Sequence, residues 1–189
     1  MTRPQYMIGI DLGANGGLVL AVRDNHRRTV QGTGKTQLAH ATRTPKNHEP
    51  EEIVEAVRWA VNVANAPGLR AVLEAPAMVR LPKSAGRRGG QIDPVASAAL
   101  AKSWGLWRAA LAAYSMPCVT VPATTWQAAL LKGCQGTSTK QRAEWYALNV
   151  LRWPREALIP HRCRVPHDGI IDAGCLASYG FDFADEFAR

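Results

Sequence analysis

The chain is predicted to be an α/β protein with a five-stranded mixed sheet and helices on both faces. Two observations carry that prediction. An alternating, β-rich segment over residues 6–12 is followed by the turn Asn15-Gly16-Gly17 and a second apolar run, Leu18-Val19-Leu20-Ala21-Val22, which is the pattern of a hairpin. Two more short apolar runs, at 69–75 and 118–121, are separated by segments of helical spacing long enough to serve as crossovers, which places them in a sheet covered by helices.

The elements follow in order. The hairpin puts Asp11 near its closed end, and a weakly signalled third strand falls within 33–43. Pro50-Glu51-Glu52 opens a helix, since proline and acids suit the first helical turn. Ile53, Val54, Val57, Ala60, Val61 and Ala64 keep its apolar stripe in register. The strand over 69–75 runs into Pro76. Residues 77–95 form a long basic loop with Arg80, Lys83, Arg87 and Arg88 among glycines, which reads either as a phosphate-touching arm or as a solvated linker. A helix over 95–115 carries Trp104, Trp107 and Leu111 at i, i+3 and i+7, a core or dimer stripe. After the strand at 118–121, Thr124 or Thr125 is expected to cap a short helix through Leu131, and Thr137 or Ser138 a helix reaching Leu151. The loop 152–167 holds Arg152, Arg155, Arg162 and Arg164, and the last helix starts near Asp168.

Length and composition narrow the function. The 189 residues, 47% hydrophobic, suit one domain spanning 1–189. No apolar run reaches membrane-spanning length and no secretory signal opens the chain, so the expected compartment is the cytoplasm. Cys118, Cys134, Cys163 and Cys175 show no paired spacing and are expected to be reduced thiols. His161, Cys163 and His167 fit no common structural zinc spacing. The net charge is +8, and residues 168–189 hold five acids against the single base Arg189, so the rest of the chain is more basic still. Such a body suits a nucleic-acid partner.

Four carboxylates stand against that basic background. Asp11 lies inside Met7-Ile8-Gly9-Ile10-Asp11-Leu12-Gly13, and Glu74 closes Ala71-Val72-Leu73-Glu74. Asp168 and Asp172 are spaced i, i+4 at the start of an apolar helix, which puts them on one helical face. Acids in apolar runs are costly to bury without a partner or a metal. Each also has a local reading: Asp11 as a turn cap, Glu74 as an exposed strand end, Asp168 as the N-cap of the last helix. Asp172, one turn into an otherwise apolar helix, is harder to explain locally. If first and neighbouring parallel strands bring Asp11 beside Glu74 and the last helix adds its pair, the oxygen ligands favour Mg²⁺, with Mn²⁺ able to substitute. Two such ions roughly 3.5–4 Å apart would serve phosphodiester hydrolysis.

These residues resemble RuvC-type Holliday-junction resolvases (crossover junction endodeoxyribonucleases) of the RNase H-like superfamily. The resemblance rests on Ile8-Gly9-Ile10-Asp11-Leu12-Gly13, on Glu74 at its strand end and on His167-Asp168-x-x-x-Asp172-Ala173. Gly105-Leu106-Trp107-Arg108, Val121-Pro122-Ala123-Thr124-Thr125-Trp126 and Thr139-Lys140 are similar to the phage-encoded branch. Together they cover residues 7–180. The resemblance implies an RNase H-like fold, a homodimer, and Mg²⁺-dependent paired nicking of four-way DNA junctions. It also implies a catalytic, metal-binding tetrad of Asp11, Glu74, Asp168 and Asp172, with His167 as the alternative third ligand. Lys140 is a candidate phosphate contact beside Arg80, Lys83, Arg87 and Arg88. The chain departs from the pattern at Ala75-Pro76-Ala77-Met78, where relatives place an aromatic, and at Gln127, where they often have lysine. Gly9-Ile10-Asp11-Leu12-Gly13 also resembles the first phosphate loop of actin-like and sugar-kinase-like ATPases, although no second glycine-rich phosphate loop follows. A non-catalytic branched-DNA-binding protein on the same fold would be expected to have lost one or more of the four acids.

Overall fold

A computed structural model describes residues 5–13, 15–28, 34–45, 49–66, 68–77, 93–161 and 163–183. Among the described residues five strands form one sheet: β1 (Gln5–Asp11), β2 (Gly17–Arg28), β3 (Gly34–Arg43), β4 (Arg70–Glu74) and β5 (Cys118–Val121), in the order β3-β2-β1-β4-β5. β1–β2 and β2–β3 are antiparallel, whereas β1–β4 and β4–β5 are parallel. The mixed sheet matches the sequence expectation. β2 continues six residues past Val22, and its ladder with β3 extends the sheet to that edge.

The helices are α1 (Pro50–Ala64), α2 (Pro94–Ala113), α3 (Ala123–Leu130), α4 (Thr139–Trp145) and α5 (Asp168–Asp182). A π-helical turn (Tyr146–Val150) prolongs α4 as far as Leu151, and a 3₁₀ turn (Arg155–Leu158) interrupts the loop before α5. None of them is long and apolar enough to cross a membrane.

Strand alternation divides the interior into two layers. Ile8, Ile10, Leu18, Leu20, Ala71 and Leu73 face α1 and α2, where Ile53, Val57, Trp107 and Leu111 are buried against them. Met7, Val19, Ala21, Val72 and Val121 face α5, with Trp126, Tyr146 and Trp153 closing the layer. Full burial of a large apolar side chain contributes roughly 1.5–3 kcal/mol, so each layer is a substantial core. Trp107 and Leu111 lie wholly in the first layer and Trp104 packs at its margin, so that stripe belongs to the core.

Two capping expectations need correction. Thr124 and Thr125 do not cap α3. Pro122, with φ −60° and ψ 143°, occupies the N-cap, and the helix starts at Ala123. Asp168 is not the N-cap of α5. That position is His167, which makes no side-chain cap, and Asp168 is the first helical residue. Ser138 does cap α4, in a reciprocal capping box with Gln141.

α5 lies unusually close to the sheet. A Cβ on Gly9 would overlap the Ala173 carbonyl oxygen, and one on Gly17 would overlap the backbone of Gly169. Gly16 and Gly169 form a β-bridge, which seats the first turn of α5 on the hairpin end. Glycine is required at these contacts because backbone meets backbone.

Candidate functional site

Asp11 is the last residue of β1, on the α5 side, because it shares the parity of Met7 and Gly9. The β1–β4 register pairs Ile10 with Leu73, so the next step sets Asp11 beside Glu74. Both side chains emerge at the carboxyl ends of the parallel strands, where open α/β sheets place their ligand sites. The Gly13 amide donates to Asp11 Oδ1 at 2.8 Å, so the local turn-capping reading holds for one oxygen. Asp11 remains 8% exposed, and its carboxyl lies close enough to that of Glu74 for each to bear on the other. Glu74 is therefore not a free strand end.

α5 completes the cluster. Asp172 lies within electrostatic reach of Asp11, Glu74 and Asp168. Burial, then the charges of Asp11 and Asp172, push the Glu74 carboxyl up to about 8 from its ordinary 4.5. Burial, then Asp11 and Asp168, push Asp172 up to about 7 from 3.8. Asp11 is raised as well, chiefly by burial, against the lowering effect of the Gly13 amide. These acids are thus crowded and short of positive charge.

Among the described residues, the cation that acts on them is Lys140, in the first turn of α4. Its ammonium pairs with the Asp168 carboxylate and also acts on Asp172 and Asp11. Asp168 is the most exposed of the four acids, and its side chain meets Lys140 rather than the α5 backbone. His167 sits immediately before it, its Nδ1 buried without a hydrogen-bond partner. Burial and the nearby Arg43 guanidinium lower the His167 pKa and hold the imidazole neutral, the form in which it can bind a metal.

As it stands, among the described residues no group of three or more His, Cys, Asp and Glu side chains is gathered tightly enough to hold a metal ion. Donor chemistry nevertheless fits one. Carboxylate oxygens are hard ligands, and a divalent cation would relieve the repulsion that raises Glu74 and Asp172. His161, Cys163 and His167 form no such group, and Cys163 instead accepts from Arg43. All four cysteines are free thiols. Arg80, Lys83, Arg87, Arg88 and Met78, which follow Glu74 in the chain, lie outside the described residues, as does Arg162. Arg155 pairs with Glu144 at 3.0 Å. The Lys140–Asp168 pairing, between residues 28 apart, is the site feature that no local spacing announces.

No protein-family model and no curated protein sequence matches the chain. Solved structures do. The chain superposes on Thermus thermophilus RuvC in complex with a Holliday-junction substrate with a TM-score of 0.61 at 15% identity, covering 96% of both chains. A second Thermus thermophilus RuvC structure gives 0.60, again at 15% identity and 96% coverage of each. With its β3-β2-β1-β4-β5 sheet and helices on both faces, the chain has the RuvC-like, RNase H-like fold.

Proposed function

We propose that residues 1–189 form one nuclease domain, a structure-selective endodeoxyribonuclease that resolves four-way DNA junctions by paired, metal-dependent phosphodiester hydrolysis. One observation carries the reading: three crowded, largely buried carboxylates (Asp11, Glu74 and Asp172) meet at the carboxyl ends of parallel strands, with Asp168 beside them, in a strongly basic chain. The fold adds weight, since one of its structural counterparts is recorded with a Holliday junction.

In this reading Asp11, Glu74, Asp168 and Asp172 hold Mg²⁺ or Mn²⁺, two ions per site, with His167 as the alternative to Asp168. Bound there, such cations would supply Lewis-acid activation of water and charge neutralisation at the leaving oxygen. The chain's own part is positioning. The Gly13 amide fixes one Asp11 oxygen, leaving the other side of the carboxylate for the site. The rigid seat of α5 on Gly9 and Gly17 sets Asp172 against Asp11. Lys140 balances charge until a phosphate arrives and then contacts it, joined by Arg80, Lys83, Arg87 and Arg88 along the backbone. Paired nicks require two sites, so the active species is a homodimer.

The test is a synthetic four-way junction incubated with purified protein and Mg²⁺, with nick positions mapped on all four strands. Symmetric paired nicks that vanish in Asp11→Asn are expected. An Asp11→Asn protein as active as wild type would remove the metal-site assignment. Binding without cleavage would favour a non-catalytic junction binder, and nucleotide hydrolysis without nicking an actin-like ATPase.

A further inference from the structure

The register places a second charged side chain in line with the acids. Asp11 pairs with Gly17 across β1–β2, and Gly17 pairs with Arg43 across β2–β3. Residues in one row of a sheet share a face, and Ala41, two residues before Arg43, packs in the α5 layer. Arg43 is therefore on the side of the sheet that carries Asp11 and Glu74, two interstrand spacings or ~10 Å from Asp11 along the row. Gly17 has no side chain, so what lies between them is the first turn of α5. That turn carries Lys140's partner Asp168 and the N-cap His167, which Arg43 also reaches.

Arg43 is exposed, and among the described residues its guanidinium is not neutralised by an acid. Its hydrogen-bond acceptor is the Cys163 thiol, and no carboxylate pairs with it among the described residues. A thiol is a weak acceptor that uses one of five N–H donors. Arg23, Arg58 and Arg155 are each tied to an acid, and Arg43 differs from them in lying untied in the Asp11 row. A planar guanidinium held in place but not neutralised is suited to bidentate capture of a phosphodiester.

We propose that Arg43 anchors a phosphate of the bound DNA strand on the far side of the α5 N-terminus from Lys140, so that the strand is gripped on both sides of the carboxylate cluster. This rests on the nuclease reading above and adds to it a residue outside the acidic tetrad. The contact is to the backbone, so its loss should weaken binding uniformly across sequences.

The experiment measures junction affinity as a function of salt without divalent cation, so that binding is read apart from cleavage, for wild type, Arg43→Ala, Arg43→Lys and Cys163→Ala. For Arg43→Ala, roughly tenfold weaker binding is expected, with a log–log salt slope shallower by about 0.9, the value of one lost phosphate contact. Arg43→Lys should recover the slope but only part of the affinity, because it keeps the charge and loses the fork. Cys163→Ala should bind as wild type does. An Arg43→Ala slope equal to wild type, or an equal loss in Cys163→Ala, would overturn the assignment, the second by showing that the pair merely braces the loop. If wild type binds junctions and nicks them while Arg43→Ala is unaffected, the nuclease reading survives without this residue. If wild type binds no junction, both fall.

Discussion

The two faces of the sheet are built from alternate residues of the same strands, yet they are made for different ends. Toward α1 and α2 the strands present Ile8, Ile10, Leu18, Leu20 and Leu73, a hydrocarbon surface in which Trp107 and Leu111 are fully buried. Toward α5 they present Met7, Gly9 and Asp11, with Val72 and Glu74. The first face is apolar along its whole length. The second trades side chains for glycine so that a helix can approach, then ends in acids that repel one another. Both sides carry a substantial core, and the electrostatic tension is confined to the α5 side, a division expected where a site must stay poised for a cation.

The largest effect should come from breaking the close approach. Gly9→Val would drive a branched side chain into the Ala173 carbonyl and the Ala177 amide. Over-packing usually costs 1–3 kcal/mol, and here the obstacle is backbone that cannot rotate away. The expected outcome is loss of cooperative folding by circular dichroism. On the opposite face, Trp107→Ala removes bulk instead of adding it and should cost about 3–5 kcal/mol, read as a lower denaturation midpoint. A Gly9→Val protein that melts like wild type would mean that α5 is not seated directly on β1.

Neutralising an acid should separate function from stability. Asp172→Asn is expected to lower nicking by about 10²–10³-fold, the scale of losing one transition-state stabilising group. The same change removes a repulsive charge from Glu74, so the melting temperature without metal should rise. Activity and melting temperature falling together would place Asp172 among the structural groups instead.

The same tension gives a pH dependence with a definite sign. Glu74 and Asp172 titrate at about 8 and about 7 when folded, against ordinary values of 4.5 and 3.8. The folded state therefore binds more protons than the unfolded state between those limits. Its stability from these groups is complete below about pH 4 and is lost as pH rises through 7 to 8. A divalent cation acts on the charged forms, so Mg²⁺ should raise the melting temperature more at pH 8.5 than at pH 6. An Mg²⁺ effect that does not grow with pH would detach the cation from these carboxylates.

How much of this was legible in the sequence follows from where the information lies. The hairpin, both parallel strands and α1 were readable because their patterns are local: alternation, Asn-Gly-Gly, a proline followed by acids. β3 was only faintly marked. It is an edge strand, paired on one side, and its polar Gln37, His40 and Thr42 weaken any alternation signal. The end of β2 runs through Asp24-Asn25-His26-Arg27-Arg28, a stretch that propensity alone assigns to a turn, and its pairing with β3 decides otherwise. Thr124 and Thr125 looked like caps because hydroxyls suit that position, but the extended Pro122 already supplies the non-helical residue there. The acids were legible individually as charges in apolar runs. Asp168 and Asp172 were also legible as one helical face, and Asp11 beside Glu74 as an expectation that hung on strand order; the Lys140–Asp168 pairing was not legible, because it depends on how α4 meets α5. Arg43 escaped notice for the same reason: only the Asp11–Gly17–Arg43 row shows which acid it lies near.

Lys140 offers the smallest effect and a sharp discrimination. Its side chain is 69% exposed and that of Asp168 47% exposed, so solvent screens the pair heavily. Exposed ion pairs contribute about 0–1 kcal/mol, and Lys140→Met should shift the urea midpoint by no more than that equivalent. The ammonium nonetheless bears on Asp168, Asp172 and Asp11 together, as the counter-charge that an incoming cation meets. Removing it should lower the Mg²⁺ concentration needed for half-maximal thermal stabilisation while weakening DNA binding, since one side chain opposes the metal and favours the phosphate. If both affinities fall together and the midpoint drops by more than about 2 kcal/mol, Lys140 is part of the α4–α5 scaffold. The tension on the α5 face would then be confined to Asp11, Glu74 and Asp172.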